Sequence, residues 1–132
     1  MKNRILVASH GRLAETLVES AALIVGTHNH VIAVGLMPGD DLEQYRQRLL
    51  DGVADTGEGG VLVLLDLLSG TPFNMTISLL RQPHVRFITG VNLPMLLEAI
   101  MLAPELELEE LTRTVKESGA GGIKSNADIG GG

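Results

Sequence analysis

Ile5-Leu6-Val7-Ala8-Ser9-His10-Gly11 decides how this chain is read. Four apolar residues run unbroken into a Ser-His-Gly turn. Val61-Leu62-Val63-Leu64-Leu65-Asp66 repeats the pattern and ends on a carboxylate. Both runs read as strands. In an open parallel sheet, residues just past the carboxyl ends of strands line the ligand crevice. An imidazole and a carboxylate placed there can share a hydrogen bond. That bond fixes the ring tautomer and leaves the other ring nitrogen as a nucleophile.

Working outward, strand and helix signals alternate, which predicts an α/β domain with an open, mainly parallel sheet. The strands fall at about residues 3–9, 30–36, 61–66 and 84–90. A helix from near Arg12 to Val25 carries Leu13, Leu17, Ala21 and Ile24 on one face. Asp40 and Glu43 stand at capping-box spacing before a stripe of Leu42, Tyr45, Leu49 and Val53. Thr71 and Pro72 read as N-cap and first helical residue of a helix that turns Phe73, Ile77 and Leu80 to the sheet. Asn92 reads as an N-cap of a helix reaching about Leu102. A last helix spans about Glu105 to Ser118. Gly122-Ile123-Lys124 is a candidate edge strand. Residues 1–124 read as one domain and 125–132 as a Gly-rich tail or the start of a linker.

Composition narrows the function. The chain has 132 residues, 45% of them hydrophobic, which suits one globular core. The formal net charge is −6 and aromatics make up only 2%. An acidic chain with no basic run and few stacking rings does not fit nucleic-acid binding. The absence of cysteine excludes thiol catalysis and thiolate metal sites. His28, His30 and His84 lack metal-ligand spacing, so the expectation is no metal and no cofactor. No secretory signal and no span of the roughly 20 apolar residues needed to cross a bilayer is expected, which implies a cytoplasmic location.

Right-handed crossovers put every strand-to-helix loop on one edge of the sheet. With strand order 2-1-3-4, His10 and Asp66 flank the crevice where the winding reverses. Backbone N–H groups near Gly11 and Thr71 suit a phosphoryl group there, with Gly70 allowing close approach. Ser9, Gly11, Ser69, Gly70 and Thr71 are the candidate phosphoryl-binding residues. Arg12, Met37, Leu67, Leu68 and Phe73 are candidates for docking a protein partner.

Three segments carry a resemblance. Leu6-Val7-Ala8-Ser9-His10-Gly11, Leu65 through Asn74, and Gly90-Val91-Asn92-Leu93-Pro94-Met95-Leu96 resemble the IIA component of the mannose–fructose–sorbose class of the bacterial phosphotransferase system. The resemblance covers roughly residues 3–124. It implies that His10 accepts a phosphoryl group from the histidine-containing phosphocarrier protein and passes it to a IIB component. It implies that Asp66 orients His10. Membrane components IIC and IID are implied as indirect partners. A homodimer that exchanges a C-terminal strand is implied too, and Ile123-Lys124 is the candidate strand. Ser69-Gly70-Thr71-Pro72 departs from the family's common Gly-Gly-Ser-Pro but keeps a hydroxyl at residue 71.

Other readings compete. The family also includes IIA-like domains of regulators and a phosphocarrier subunit of a dihydroxyacetone kinase. A histidine phosphatase expects Arg immediately before the histidine, where this chain has Ser9. A receiver domain needs an acidic cluster after the first strand, where this chain has Ser9-His10-Gly11. A non-catalytic flavodoxin-like binding module would leave His10 unphosphorylated.

Overall fold

Each apolar run forms a strand because both of its faces are covered. Ile5, Leu6, Val7 and Ala8 are fully buried, as are all five residues of Val61–Leu65. Such continuous burial is the mark of a parallel sheet with helices on both sides. The computed structural model describes residues 3–78 and 82–130. Its elements are β1 (Arg4–His10), α1 (Leu13–Val25), β2 (Val31–Leu36), α2 (Leu42–Gly52) and β3 (Val61–Leu65), then α3 (Thr71–Ile77), β4 (Val85–Thr89), α4 (Leu93–Leu102) and α5 (Leu108–Gly121).

The sheet order is β2-β1-β3-β4 and every pairing is parallel. Alternate residues of each strand feed two cores. Ile5, Val7, Leu62 and Leu64 pack with residues of α1, α4 and α5. Leu6, Ala8, Val63 and Leu65 pack with Tyr45 and Leu49 of α2 and with Phe73 of α3. Each fully buried Leu or Val contributes about 1.5–3 kcal/mol. The chain leaves β1 toward β2 on one face and returns to β3 on the other. That reversal opens the crevice between β1 and β3.

Several local expectations are corrected. In α1 the buried residues are Ala14 and Ala21, with Leu17, Val18 and Val25 packed beside them, while Leu13 and Ile24 are exposed. The small alanines face the sheet and let the helix lie close. In α2 Leu42 is half exposed, and Tyr45, Leu49 and Val53 carry the contact. The cap of α2 is Asp41, whose carboxylate accepts from the Glu43 N–H; Asp40 accepts from the Met37 N–H instead. α3 is capped by Gly70 rather than Thr71. Ile77 is exposed, and Leu80 lies outside the described residues.

The last helix starts at Leu108 rather than Glu105. Asn3 explains the delay. Its buried amide donates to the carbonyls of Ala103 and Leu106, which holds that segment as a turn. Gly122-Ile123-Lys124 pairs with no strand among the described residues; Ile123 is exposed past the end of α5. Asn92 does cap α4, accepting from the Met95 N–H. Among the described residues no helix is long and apolar enough to cross a membrane.

Candidate active site

His10 is the last residue of β1, and Asp66 follows the last residue of β3. The two strands are neighbours, with Ala8 beside Leu65, so both side chains emerge at the same edge. Asp66 Oδ2 accepts twice from His10: from the main-chain N–H at 2.9 Å and from ring Nδ1 at 2.9 Å. Oδ1 accepts from the Leu67 N–H at 2.8 Å. Burial pushes the Asp66 carboxyl up, but the His10 and Leu67 hydrogen bonds outweigh it and hold the group below its ordinary value. An ionised carboxylate only accepts, so Nδ1 carries the ring proton. In the neutral ring Nε2 then holds the lone pair. The His10 side chain is 45% exposed and the Asp66 side chain 11%, so the carboxylate anchor is sheltered and the imidazole is open.

The loop after β3 lies against that open nitrogen. Gly70 has φ +97°, and a Cβ there would stand 2.5 Å from His10 Nε2. Glycine is therefore required both by backbone conformation and by the ring it touches. Gly11 has φ +60° and turns the chain from β1 into α1. Its N–H donates to the Leu36 carbonyl at 2.7 Å, which ties the turn to β2.

Of the other predicted residues, Gly11, Ser69, Gly70 and Thr71 do sit in the two loops beside His10. Ser69 is exposed and Thr71 part-buried. Ser9 has a different task. It is fully buried, and its hydroxyl accepts from the Ala14 N–H at 2.8 Å and donates to the Gly11 carbonyl at 3.3 Å. It caps α1 from the strand and does not offer its side chain to the crevice. Arg12, Leu67 and Leu68 are exposed around the histidine, and Met37 is part-buried. Phe73 packs into the core beside Phe87, with ring centroids 5.7 Å apart. It supports the loop rather than presenting a free docking surface.

Sequence reasoning missed Glu15, Gly35 and Arg48, and the hydroxyl of Tyr45, as a polar group around the end of β2. Glu15 accepts from the Gly35 N–H at 3.0 Å, and the Tyr45 hydroxyl donates to the Val34 carbonyl at 3.3 Å. Glu15 sits in the first turn of α1, an ordinary place for an acid. Nothing in its local sequence marks its partner on β2.

A family model described as the PTS system fructose IIA component matches residues 4–116. The chain belongs to this EIIA family. Among its EIIA relatives, the "PTS system fructose-specific EIIA component" of Bacillus subtilis (strain 168) is 32% identical over 85% of this chain and 78% of its own length. The "PTS system mannose-specific EIIAB component" of Escherichia coli (strain K12) is 32% identical over 92% of this chain. This chain spans only 38% of that relative's length. The solved structure of an EIIA component from Streptococcus agalactiae superposes with a TM-score of 0.86 at 29% identity, covering 95% of this chain and 98% of that one. These EIIA structures share the fold in which His10 and Asp66 are placed here.

Proposed function

We propose that this EIIA-family chain is a phosphocarrier that works through His10. The observation that carries the reading is the His10–Asp66 pair, which keeps the ring proton on Nδ1 and leaves Nε2 open at the carboxyl edge of the sheet. The lone pair of Nε2 attacks the phosphorus of a donor phosphohistidine. A new N–P bond forms as the donor's N–P bond breaks, and the donor imidazole leaves. The ring proton stays on Nδ1, and Asp66 offsets the positive charge that the ring acquires. Gly11, Ser69, Gly70 and Thr71 surround the transferred oxygens. Positioning and charge are all that such a transfer asks of the protein.

The donor is the histidine-containing phosphocarrier protein and the acceptor is a IIB component, with IIC and IID reached only through IIB. The Escherichia coli relative's name joins A and B functions in one chain, which supports IIB as the acceptor. Arg12, Met37, Leu67 and Leu68 form the docking rim: the exposed apolar Leu67 and Leu68 and the exposed Arg12 beside His10 suit a transient contact. The site works in the cytoplasm and in a homodimer, with Ile123-Lys124 as the segment exchanged between subunits.

The test is phosphorylation from phosphoenolpyruvate through purified enzyme I and the histidine phosphocarrier. Wild type is expected to take an acid-labile, alkali-stable label, and His10→Ala none. Equal labelling of the two proteins would overturn the reading. No label on wild type, with a control IIA labelled, would favour a binding module that kept the fold alone.

A further inference from the structure

β2 is an edge strand, and an edge presents unpaired N–H and C=O groups. Leu36 and His30 face β1, since their carbonyls accept from Gly11 and Ile5. Gly35, between them in the alternation, therefore turns its N–H and C=O outward. Side chains from opposite faces of the sheet meet both groups. Glu15 of α1 accepts from the Gly35 N–H at 3.0 Å. Arg48 of α2 reaches the Gly35 carbonyl at 3.5 Å. The two side chains approach each other at 4.0 Å, Arg48 Nη2 to Glu15 Oε2. They do at one residue what a neighbouring strand would do.

From this geometry we infer that Glu15 and Arg48 are positioning residues, a clamp around the sheet edge that sets the His10 turn. The link is steric as well as polar. A Cβ on Gly35 would collide with the Gly11 carbonyl and stand 2.5 Å from Glu15 Oε1. The Gly11 carbonyl and that carboxylate oxygen thus crowd the same side of Gly35. Glu15 Oε1 is buried and has no hydrogen-bond donor. An orphan carboxylate oxygen beside a carbonyl is unfavourable unless a cation lies close. Arg48, 4.0 Å from the other oxygen of the same carboxylate, is that cation. Without it, the carboxylate is driven outward, Gly35 loses its acceptor and the Gly11 turn is free to shift. His10 precedes Gly11, so the shift moves the reactive ring. The kinetic consequence rests on the phosphocarrier reading above, whereas the positional one does not.

The test uses the whole protein with Glu15→Ala, Glu15→Gln, Arg48→Met and Arg48→Lys. Single-turnover phosphorylation is followed against the concentration of phosphorylated phosphocarrier. The Gly11 amide and the His10 ring nitrogens are followed by 15N NMR. Glu15→Ala and Arg48→Met should slow the saturated rate about ten-fold with little change in KM. Their Gly11 and His10 resonances should move, and Arg48→Lys should recover most of the rate. Glu15→Gln keeps a hydrogen-bond acceptor for Gly35 and tests the charge if the alanine variant fails to fold. Wild-type rates in folded variants overturn the inference, as does a loss of rate with unmoved resonances, or a lysine variant as slow as the methionine one. If wild type takes no phosphoryl group, the carrier reading fails, and the Gly11 and His10 resonances alone decide the clamp.

Discussion

The four histidines fall into two groups. His28, His30 and His84 each turn Nε2 to a backbone carbonyl: Val25 at 2.9 Å, Ile100 at 3.1 Å and Val53 at 2.6 Å. A carbonyl only accepts, so Nε2 carries the proton in all three. His10 does the opposite, giving Nδ1–H to Asp66 and leaving Nε2 without a partner among the described residues. His30 and His84 also lie toward the amino ends of the strands. There Asn3 donates to Ala103 and Leu106 and accepts from Gly60, and Arg4 fastens the Gly52 and Ala54 carbonyls. One end of the sheet spends its polar groups on holding loops together. The other keeps a nitrogen unspent. Residue type alone does not decide which ring nitrogen of a histidine is left open; the partner that takes the other does.

The sharpest way to break this comparison is to remove the one nitrogen that differs. His10→Ala should abolish labelling, while His84→Ala should label at close to the wild-type rate if it folds. Gly70→Ala comes next. Its Cβ would press on Nε2 from a backbone held at positive φ, so transfer should fall about a hundred-fold. Single-turnover rates on folded protein check this. Asp66→Ala should slow transfer by roughly 10–100-fold, since it frees the tautomer but spares the nucleophile. In 15N spectra of the wild type, His10 alone should show protonated Nδ1, and Asp66→Ala should erase that distinction.

At the other end, Asn3→Ala should cost about 1–3 kcal/mol in denaturant unfolding, with the transfer rate of the folded protein kept. The smallest expected effect is on acid stability. Asp66 titrates below its unfolded value, so its contribution is complete above about pH 4. It is lost as the pH falls through the folded pKa. The stability gap between wild type and Asp66→Asn should therefore close on acidification, as melting curves across that range would show.

The sheet and the pair at its edge were legible because both rest on short-range signals. Unbroken apolar runs mark β1 and β3, and their ends mark His10 and Asp66. Crossover handedness puts the loops on one edge, and the common doubly wound order 2-1-3-4 makes the two strands neighbours, as the sheet has it. What was misread depends on depth or distance. Of the face read for α1, Ala21 and Leu17 do meet the core, yet the close approach of the helix adds Ala14 and sends Leu13 and Ile24 outward. Thr71 has the chemistry of a cap, but the backbone gives the position to Gly70. Ser9 looked like a crevice donor until its burial under the turn was visible. Glu15, Gly35 and Arg48 meet only because two helices reach around one edge, and no local spacing encodes that.

Asp66 Oδ2 holds the main chain and the ring of His10 with one atom, and Gly70 fills one flank of Nε2. The imidazole cannot swing between two partners. If His10 carries the phosphoryl group as proposed, donor and acceptor share the one open side of Nε2. On the phosphocarrier reading proposed above, each partner is expected to inhibit the other competitively, in a ping-pong cycle.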